Sequence, residues 1–226
     1  MEKDKIKELL PIPYLLHKIQ KYRLKNRDIT ILSSNCLGGV IYHCLGLKFL
    51  SPTINLRVNS TREFLRFCLN INYYLSQEVT EVKDEGTPYP LGMLGDIKLH
   101  FNHYHSFDEA VYKWESRKKR INWDNIYVIA HDYISDTETI TKKEILEFGK
   151  VKCKNLILFT RKPYDDIPYV FNLKSLNAQK RMMITNKFTG LRDFEKYWDY
   201  VKFLNSERTT SSISMARTMD NARELK

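Results

Sequence analysis

The chain has 226 residues, of which 42% are hydrophobic, with 14 tyrosines and 11 phenylalanines among them. That is enough apolar material for one large domain with a real core. The net charge of +10 favours anionic partners, and its basic excess gathers in residues 1–27 and in Arg117-Lys118-Lys119-Arg120. No apolar run reaches the roughly 20 residues of a membrane helix. The four cysteines form no Cys-x-x-Cys pair of the kind a thiolate zinc site uses. Met1 to Glu8 is charged, with no small-residue cleavage site after it, so a cytoplasmic location is expected.

In chain order, residues 3–25 have helical periodicity interrupted by Pro11 and Pro13, with Leu15, Ile19 and Tyr22 on one face. This basic segment, residues 1–27, is expected to pack on the domain, with an anionic membrane surface as the alternative contact. Residues 28–34 form the first strand, 40–47 a short helix ending near Gly46, and 53–58 a second strand. Ser60-x-x-Glu63 and Ser106-x-x-Glu109 have the spacing of capping boxes, opening helices to about Tyr74 and Arg120. Between them lie a strand at 78–82, a Pro/Gly loop at 88–95 and an alternating strand at 96–101. Strands follow at 127–131 and 156–160, with helices at 139–149 and 194–204. Residues 206–226 are polar and Ser/Thr-rich, which predicts a disordered tail. This alternation predicts a single α/β domain over 28–205, a three-layer α/β/α sandwich with a largely parallel or mixed sheet.

In such sheets ligands bind beyond the carboxyl ends of the strands, so polar residues that follow strands are the site candidates. Ser33 to Gly39 is the foremost. Gly38 and Gly39 allow close backbone approach, and with Asn35 they suit a donor phosphate at a helix N-terminus. Arg161 and Lys162 would assist. His131 and Asp132 form a candidate acid/base pair, and Asp132 could also hold a divalent cation on a nucleotide diphosphate. His100, His103 and Tyr104 lie in an aromatic, His-rich stretch suited to sugar rings. Cys36 is the one candidate nucleophile, with His43, His100 or His131 as base. No protein metal site and no resident cofactor are expected. The basic run lacks the aromatic interleaving and the module that nucleic-acid binding would want.

Five blocks together resemble a known bacterial family. They are residues 34–43 (Ser-Asn-Cys-Leu-Gly-Gly-Val-Ile-Tyr-His), 46–53, 89–101 (Tyr-Pro-Leu-Gly-Met-Leu-Gly-Asp-Ile-Lys-Leu-His-Phe), 114–125 and 159–164 (Phe-Thr-Arg-Lys-Pro-Tyr). The family is domain of unknown function 1919, often labelled exopolysaccharide biosynthesis protein, and the resemblance covers about residues 28–205. It implies a three-layer α/β/α fold and a setting in capsule or exopolysaccharide assembly, and it carries over no catalytic residue. Read with the strand-end residues, it leads to the expectation of a transferase, favouring a glycosyltransferase with a sugar-nucleotide donor and a glycan or lipid-linked glycan acceptor. The alternatives are an acyltransferase decorating a glycan and a non-catalytic accessory protein at the membrane surface.

Overall fold

The structure, a computed structural model, describes residues 11–84, 86–132, 140–172 and 183–207. Asp136, Thr139 and the tail from Arg208 onward lie outside the described residues. The elements in order are α1 (Pro11–Arg23), β1 (Thr30–Ser33), α2 (Leu37–Leu45), β2 (Arg57–Val58), α3 (Thr61–Leu69), α4 (Ile71–Ser76), β3 (Val79–Val82), β4 (Leu91–Leu94), β5 (Ile97–His100), α5 (Phe107–Lys118), β6 (Ile126–His131), α6 (Lys142–Phe148), β7 (Asn155–Thr160), β8 (Val170–Asn172), α7 (Asp193–Tyr197) and α8 (Tyr200–Asn205). None of the described helices is long and apolar enough to cross a membrane.

The strands form two sheets. One is parallel, in the order β1-β6-β7-β8; the other is antiparallel, in the order β2-β5-β4-β3. The expected α/β fold is present, with its mixed character divided between two sheets. Strand periodicity sorts the parallel sheet's side chains to two faces. Leu32, Val128, Ala130, Leu156 and Leu158 pack with α3, α5, α6 and the antiparallel sheet. Ile31, Tyr127, Ile129, Ile157 and Phe159 pack with α2, α7 and α8. Helices therefore cover both faces of the parallel sheet.

Several expectations change in detail. The 53–58 strand shrinks to Arg57–Val58, and the loop expected at 88–95 contains β4. Gly92 and the preceding Pro88 and Pro90 hid that strand's short apolar run. The strand at 96–101 is real but lies in the antiparallel sheet. Ser60 does cap α3, its hydroxyl accepting from Glu63 N at 3.1 Å. Glu63 does not return the bond. Its carboxylate instead accepts from Asn59 Nδ2 and Lys98 N, both at 2.8 Å, which ties α3 to β5. Pro11 and Pro13 lie in the first turn of α1 as described, where N–H groups have no partner within it to lose, and residues 3–10 of the expected helix lie outside the described residues. Within α1 Gln20 is buried and His17 pairs with Glu195, and Leu24 just after the helix is buried as well, whereas Leu15, Ile19 and Tyr22 face outward.

As an edge strand, β1 has free backbone groups that side chains satisfy. Tyr42 Oη accepts from Ile31 N at 2.9 Å and donates to Ile29 O at 2.6 Å. Thr53 Oγ1 accepts from Ser33 N at 3.0 Å. Beyond the strand, Val58 N donates to Ser34 O at 3.1 Å, so β2 continues from the tip of β1.

Helix α2 crosses β1 closely at Gly38, where a Cβ would stand 2.8 Å from Ser33 Cβ and 3.3 Å from Ile31 Cγ2. Gly38→Ala should therefore push α2 off β1 and destabilise the fold by about 1–3 kcal/mol. The expected result is a lower urea midpoint with an unchanged m-value; an unchanged midpoint would show that the contact is not tight.

Candidate functional site

The candidate site is built where the tips of β1 and β6 meet β2. Asn35 leaves β1 just before α2. Its Oδ1 accepts from Leu37 N at 3.0 Å, capping the helix from two residues ahead. Cys36, at the N-cap position, makes no side-chain cap. With Oδ1 so engaged, the Asn35 amide Nδ2 donates to His131 Nε2 at the tip of β6. The imidazole therefore carries its proton on Nδ1, a buried atom with no partner among the described residues. Thr61 Oγ1 donates to His131 O at 3.0 Å, which fixes the strand end beneath the ring. Ser34 Oγ, buried beside Asn35 in the chain, also has no partner among the described residues.

Arg57, the first residue of β2, supplies the positive charge. Its Nη2 donates to His100 Nδ1 at 3.1 Å, and its charge acts on Cys36, His100 and His131 alike. Among the described residues no carboxylate stands within ion-pair distance of it. His100 completes a polar chain: Tyr89 Oη lies 3.3 Å from Nδ1, Nε2 faces Asn59 Oδ1 at 3.2 Å, and Asn59 is held by Glu63. Burial first, then Arg57 and Lys98, lowers the pKa of His100 to about 4. Burial likewise dominates at His131, with Arg57 adding to it, and lowers its pKa to about 4. Both imidazoles are therefore neutral at physiological pH.

Of the expected site residues, Asn35, Cys36, His100 and His131 come together around Arg57. Asp132 and Arg161 follow β6 and β7 and join each other. Arg161 N donates to Asp132 Oδ2 at 2.9 Å, Arg161 Nη2 to Asp132 O at 3.2 Å, and Nε lies 3.5 Å from Oδ1. Asp132 is thus committed to shaping the β7 loop more than to proton transfer. Lys162 is exposed, its carbonyl accepting from Thr160 Oγ1 at 2.6 Å.

Gly38 and Gly39 stand in the first turn of α2. A Cβ on Gly39 would lie 3.1 Å from Asn55 Oδ1, so both glycines serve close packing whatever their N–H groups bind. His103 is exposed and stands apart from the buried His100. Tyr104 is buried: its hydroxyl donates to Ile54 O at 2.8 Å and accepts from Arg117 at 2.5 Å. It therefore belongs to the core rather than to a sugar-contacting surface. Arg117 also bonds Ile54 O and lies over Phe49, so one residue of the basic run is internal.

The Cys36 thiol has Leu56 O and the Asn102 amide as neighbours, at 3.7–3.8 Å. Burial raises its pKa, with Asn102 and Arg57 opposing. A buried thiol whose neighbours are a carbonyl and an amide is poorly set up as a nucleophile.

Arg57, Asn59 and Tyr89 join the site without having been singled out, and Asn102, one of the polar residues that follow the 96–101 strand, joins it beside Cys36. One signal was available for Arg57: it is the single charge in Thr53-Ile-Asn-Leu-Arg-Val58, an otherwise uncharged run predicted as a strand. A groove of about 330 Å³ lies elsewhere, between the start of β7, β8 and α8, lined by Asn155, Tyr169, Phe171, Trp198 and Lys202 among others.

The family model described as Domain of unknown function (DUF1919) matches residues 12–205. The chain belongs to that family. An uncharacterised protein of Haemophilus influenzae is 35% identical to it over 194 residues, which span 85% of this chain and 91% of that one. The matched span takes in α1 and ends with α8.

The two neutral histidines impose a pH dependence on stability. Unfolded, each takes up a proton near 6.5, whereas the folded protein accepts it only near pH 4. Their contribution to stability is therefore full above pH 6.5 and falls as pH drops toward 4, by up to about 1.4 kcal/mol per pH unit for each histidine. His17, whose pKa its contacts with Cys44 and Glu195 raise to about 9, contributes in the opposite sense, its stabilisation being full below pH 6.5 and lost as pH rises toward 9. Urea titrations between pH 7 and 5 should show the net of these contributions, and His131→Gln should lessen the loss of stability on the acid side relative to wild type. An unaltered slope in the variant would mean that His131 is protonated in the folded state.

Proposed function

We propose that this chain is an enzyme of surface-polysaccharide assembly that transfers a sugar from a nucleotide donor to a glycan hydroxyl. The observation that carries this reading is Arg57: a half-buried guanidinium with no carboxylate partner among the described residues, bonded to the neutral imidazole of His100 and near enough to His131 for its charge to act there. A cation placed in this way awaits an anion, and a guanidinium matches phosphate in bidentate fashion. The first-turn N–H groups of α2 add to the same attraction.

In this scheme the diphosphate of the donor lies against Arg57. The acceptor hydroxyl displaces the Asn35 amide from His131 Nε2 and gives its proton to that nitrogen. Its oxygen bonds to the anomeric carbon as the bond from that carbon to the diphosphate breaks, and the leaving diphosphate keeps the electron pair. Burial alone makes His131 a weak base. A diphosphate beside it offsets the charge of Arg57 and raises the proton affinity of the ring.

The setting in polysaccharide assembly draws support from the family resemblance. The transfer chemistry draws on the anion-ready Arg57 and the neutral His131. Calorimetry with a panel of nucleotide sugars tests it. Arg57→Gln should weaken binding about tenfold or more, the cost of losing charge-assisted bonds. His131→Gln should leave binding within about twofold while lowering turnover by about 10²–10⁴, the usual contribution of a general base. Cys36→Ser should retain turnover. If no nucleotide sugar binds, or Arg57→Gln binds as wild type does, the reading is wrong.

A second reading, attachment to an anionic membrane face, is favoured by α1. Ile12, Leu15, Ile19 and Tyr22 form an exposed stripe beside Lys18 and Lys21, and the helix contains no acidic residue. Wild-type protein should float with vesicles containing anionic lipid, and a Leu15→Ser/Ile19→Ser variant should not. Equal flotation of the two would exclude the stripe.

A further inference from the structure

On the α2, α7 and α8 side of the parallel sheet, three side chains far apart in sequence meet: His17 of α1, Cys44 of α2 and Glu195 of α7. One ligand-capable atom of each lies within 4.8 Å of the other two. His17 Nε2 stands 2.6 Å from Glu195 Oε1, and Cys44 Sγ lies 3.8 Å from the same oxygen. Cys44 and Glu195 are buried and His17 is half-buried. The second carboxylate oxygen, Oε2, accepts from Arg192 N at 2.8 Å, which fixes the direction in which Oε1 points. Tyr200 is fully buried, its hydroxyl has no partner among the described residues, and it is close enough to Cys44 and Glu195 to feel their charges. None of these residues takes part in the Arg57 site.

We propose that His17 Nε2, Cys44 Sγ and Glu195 Oε1 bind one divalent metal ion of the zinc class. One nitrogen, one sulfur and one oxygen make up the donor set of a borderline metal. Magnesium or calcium would want oxygen alone. Zinc bonds of the usual lengths place neighbouring tetrahedral ligand atoms roughly 3.3–3.8 Å apart. The 3.8 Å sulfur–oxygen distance already meets this, and the 2.6 Å nitrogen–oxygen contact opens by less than about 1 Å. Arg192 N supplies the outer hydrogen bond that orients a ligating carboxylate. The Tyr200 hydroxyl, buried near Cys44 and Glu195 and with no partner among the described residues, is the candidate for a further oxygen, as a ligand or as the holder of a bound water.

Binding releases the thiol proton of Cys44 and the imidazolium proton of His17 to solvent, and nothing is oxidised or reduced. The ion then joins α1, α2 and α7 at one point, in place of the His17–Glu195 and Cys44–Glu195 contacts. This inference does not depend on the sugar-transfer reading, and no nucleotide enters its test.

The test uses the full chain, stripped with a chelator and titrated with Co²⁺. The expected result is one equivalent bound per chain, with tetrahedral visible bands and a thiolate-to-metal charge-transfer band, all displaced by Zn²⁺. Cys44→Ser should remove the charge-transfer band. Glu195→Gln, which keeps a hydrogen-bonding group beside His17, should weaken Zn²⁺ binding at least about tenfold, since even outer-shell losses cost 10–100-fold. It carries the test if the serine variant does not fold. Absence of stoichiometric binding, a spectrum without the thiolate band, or Zn²⁺ affinity unchanged by Glu195→Gln would each overturn the proposal and leave an ordinary buried ion pair.

Discussion

The site depends on how β1 is finished at its free edge. An edge strand exposes backbone donors and acceptors that must find partners if the strand is buried. Here Tyr42, reaching back from α2, serves Ile29 and Ile31, and Thr53 serves Ser33. Because Tyr42 belongs to the helix that follows the strand, the same bonds fix where α2 starts. With α2 fixed, Asn35 must cap it, and only one of its amide atoms remains to face His131. The contact of Ser34 O with Val58 N then brings β2, and with it Arg57, to the same tip.

Three arginines show what separates a structural cation from an available one. Arg117 is enclosed by Ile54 O, the Tyr104 hydroxyl and the Phe49 ring. Arg161 is joined to Asp132 through backbone and side chain. The acceptor seen for Arg57 is a neutral imidazole nitrogen, which leaves most of its charge uncompensated. The net charge of +10 says little about which of the many cations matters. What distinguishes Arg57 is a lack of anionic neighbours at a half-buried position, a property of packing that composition cannot show.

The legible part of the fold was the part governed by local periodicity. Apolar strands at 127–131 and 156–160 and the turn after β1 follow from runs of four to six residues. Asn35, His100 and His131 were found because each ends a strand. The antiparallel sheet was obscured because β4 follows two prolines, Pro88 and Pro90, and contains Gly92, which mimics a loop. That error also misassigned β5 to the parallel sheet. His100 nevertheless reached the site, through pairing with Arg57 across β2 and β5. Tyr104 and Lys162 were chosen by residue type at strand ends. Their burial and exposure depend on α5 and on the β7 loop, which no local pattern specifies. The meeting of His17, Cys44 and Glu195 is less legible still, since its members are spread from the first described helix to the last helices of the domain.

The path of the chain between β1 and β6 has a kinetic corollary. Thr30 pairs with Ile126, so the strands that frame the site are separated by the antiparallel sheet, α2, α3 and α5. The β4–β5 hairpin closes over a two-residue turn and can form early, whereas β1–β6 pairing must wait for a long loop to close. Asn35 meets His131 only after that closure. Molecules caught partway, with the small sheet formed and the large one open, would contain hairpins and helices but no anion site. Recovery of ligand binding would therefore trail recovery of secondary structure as the protein refolds.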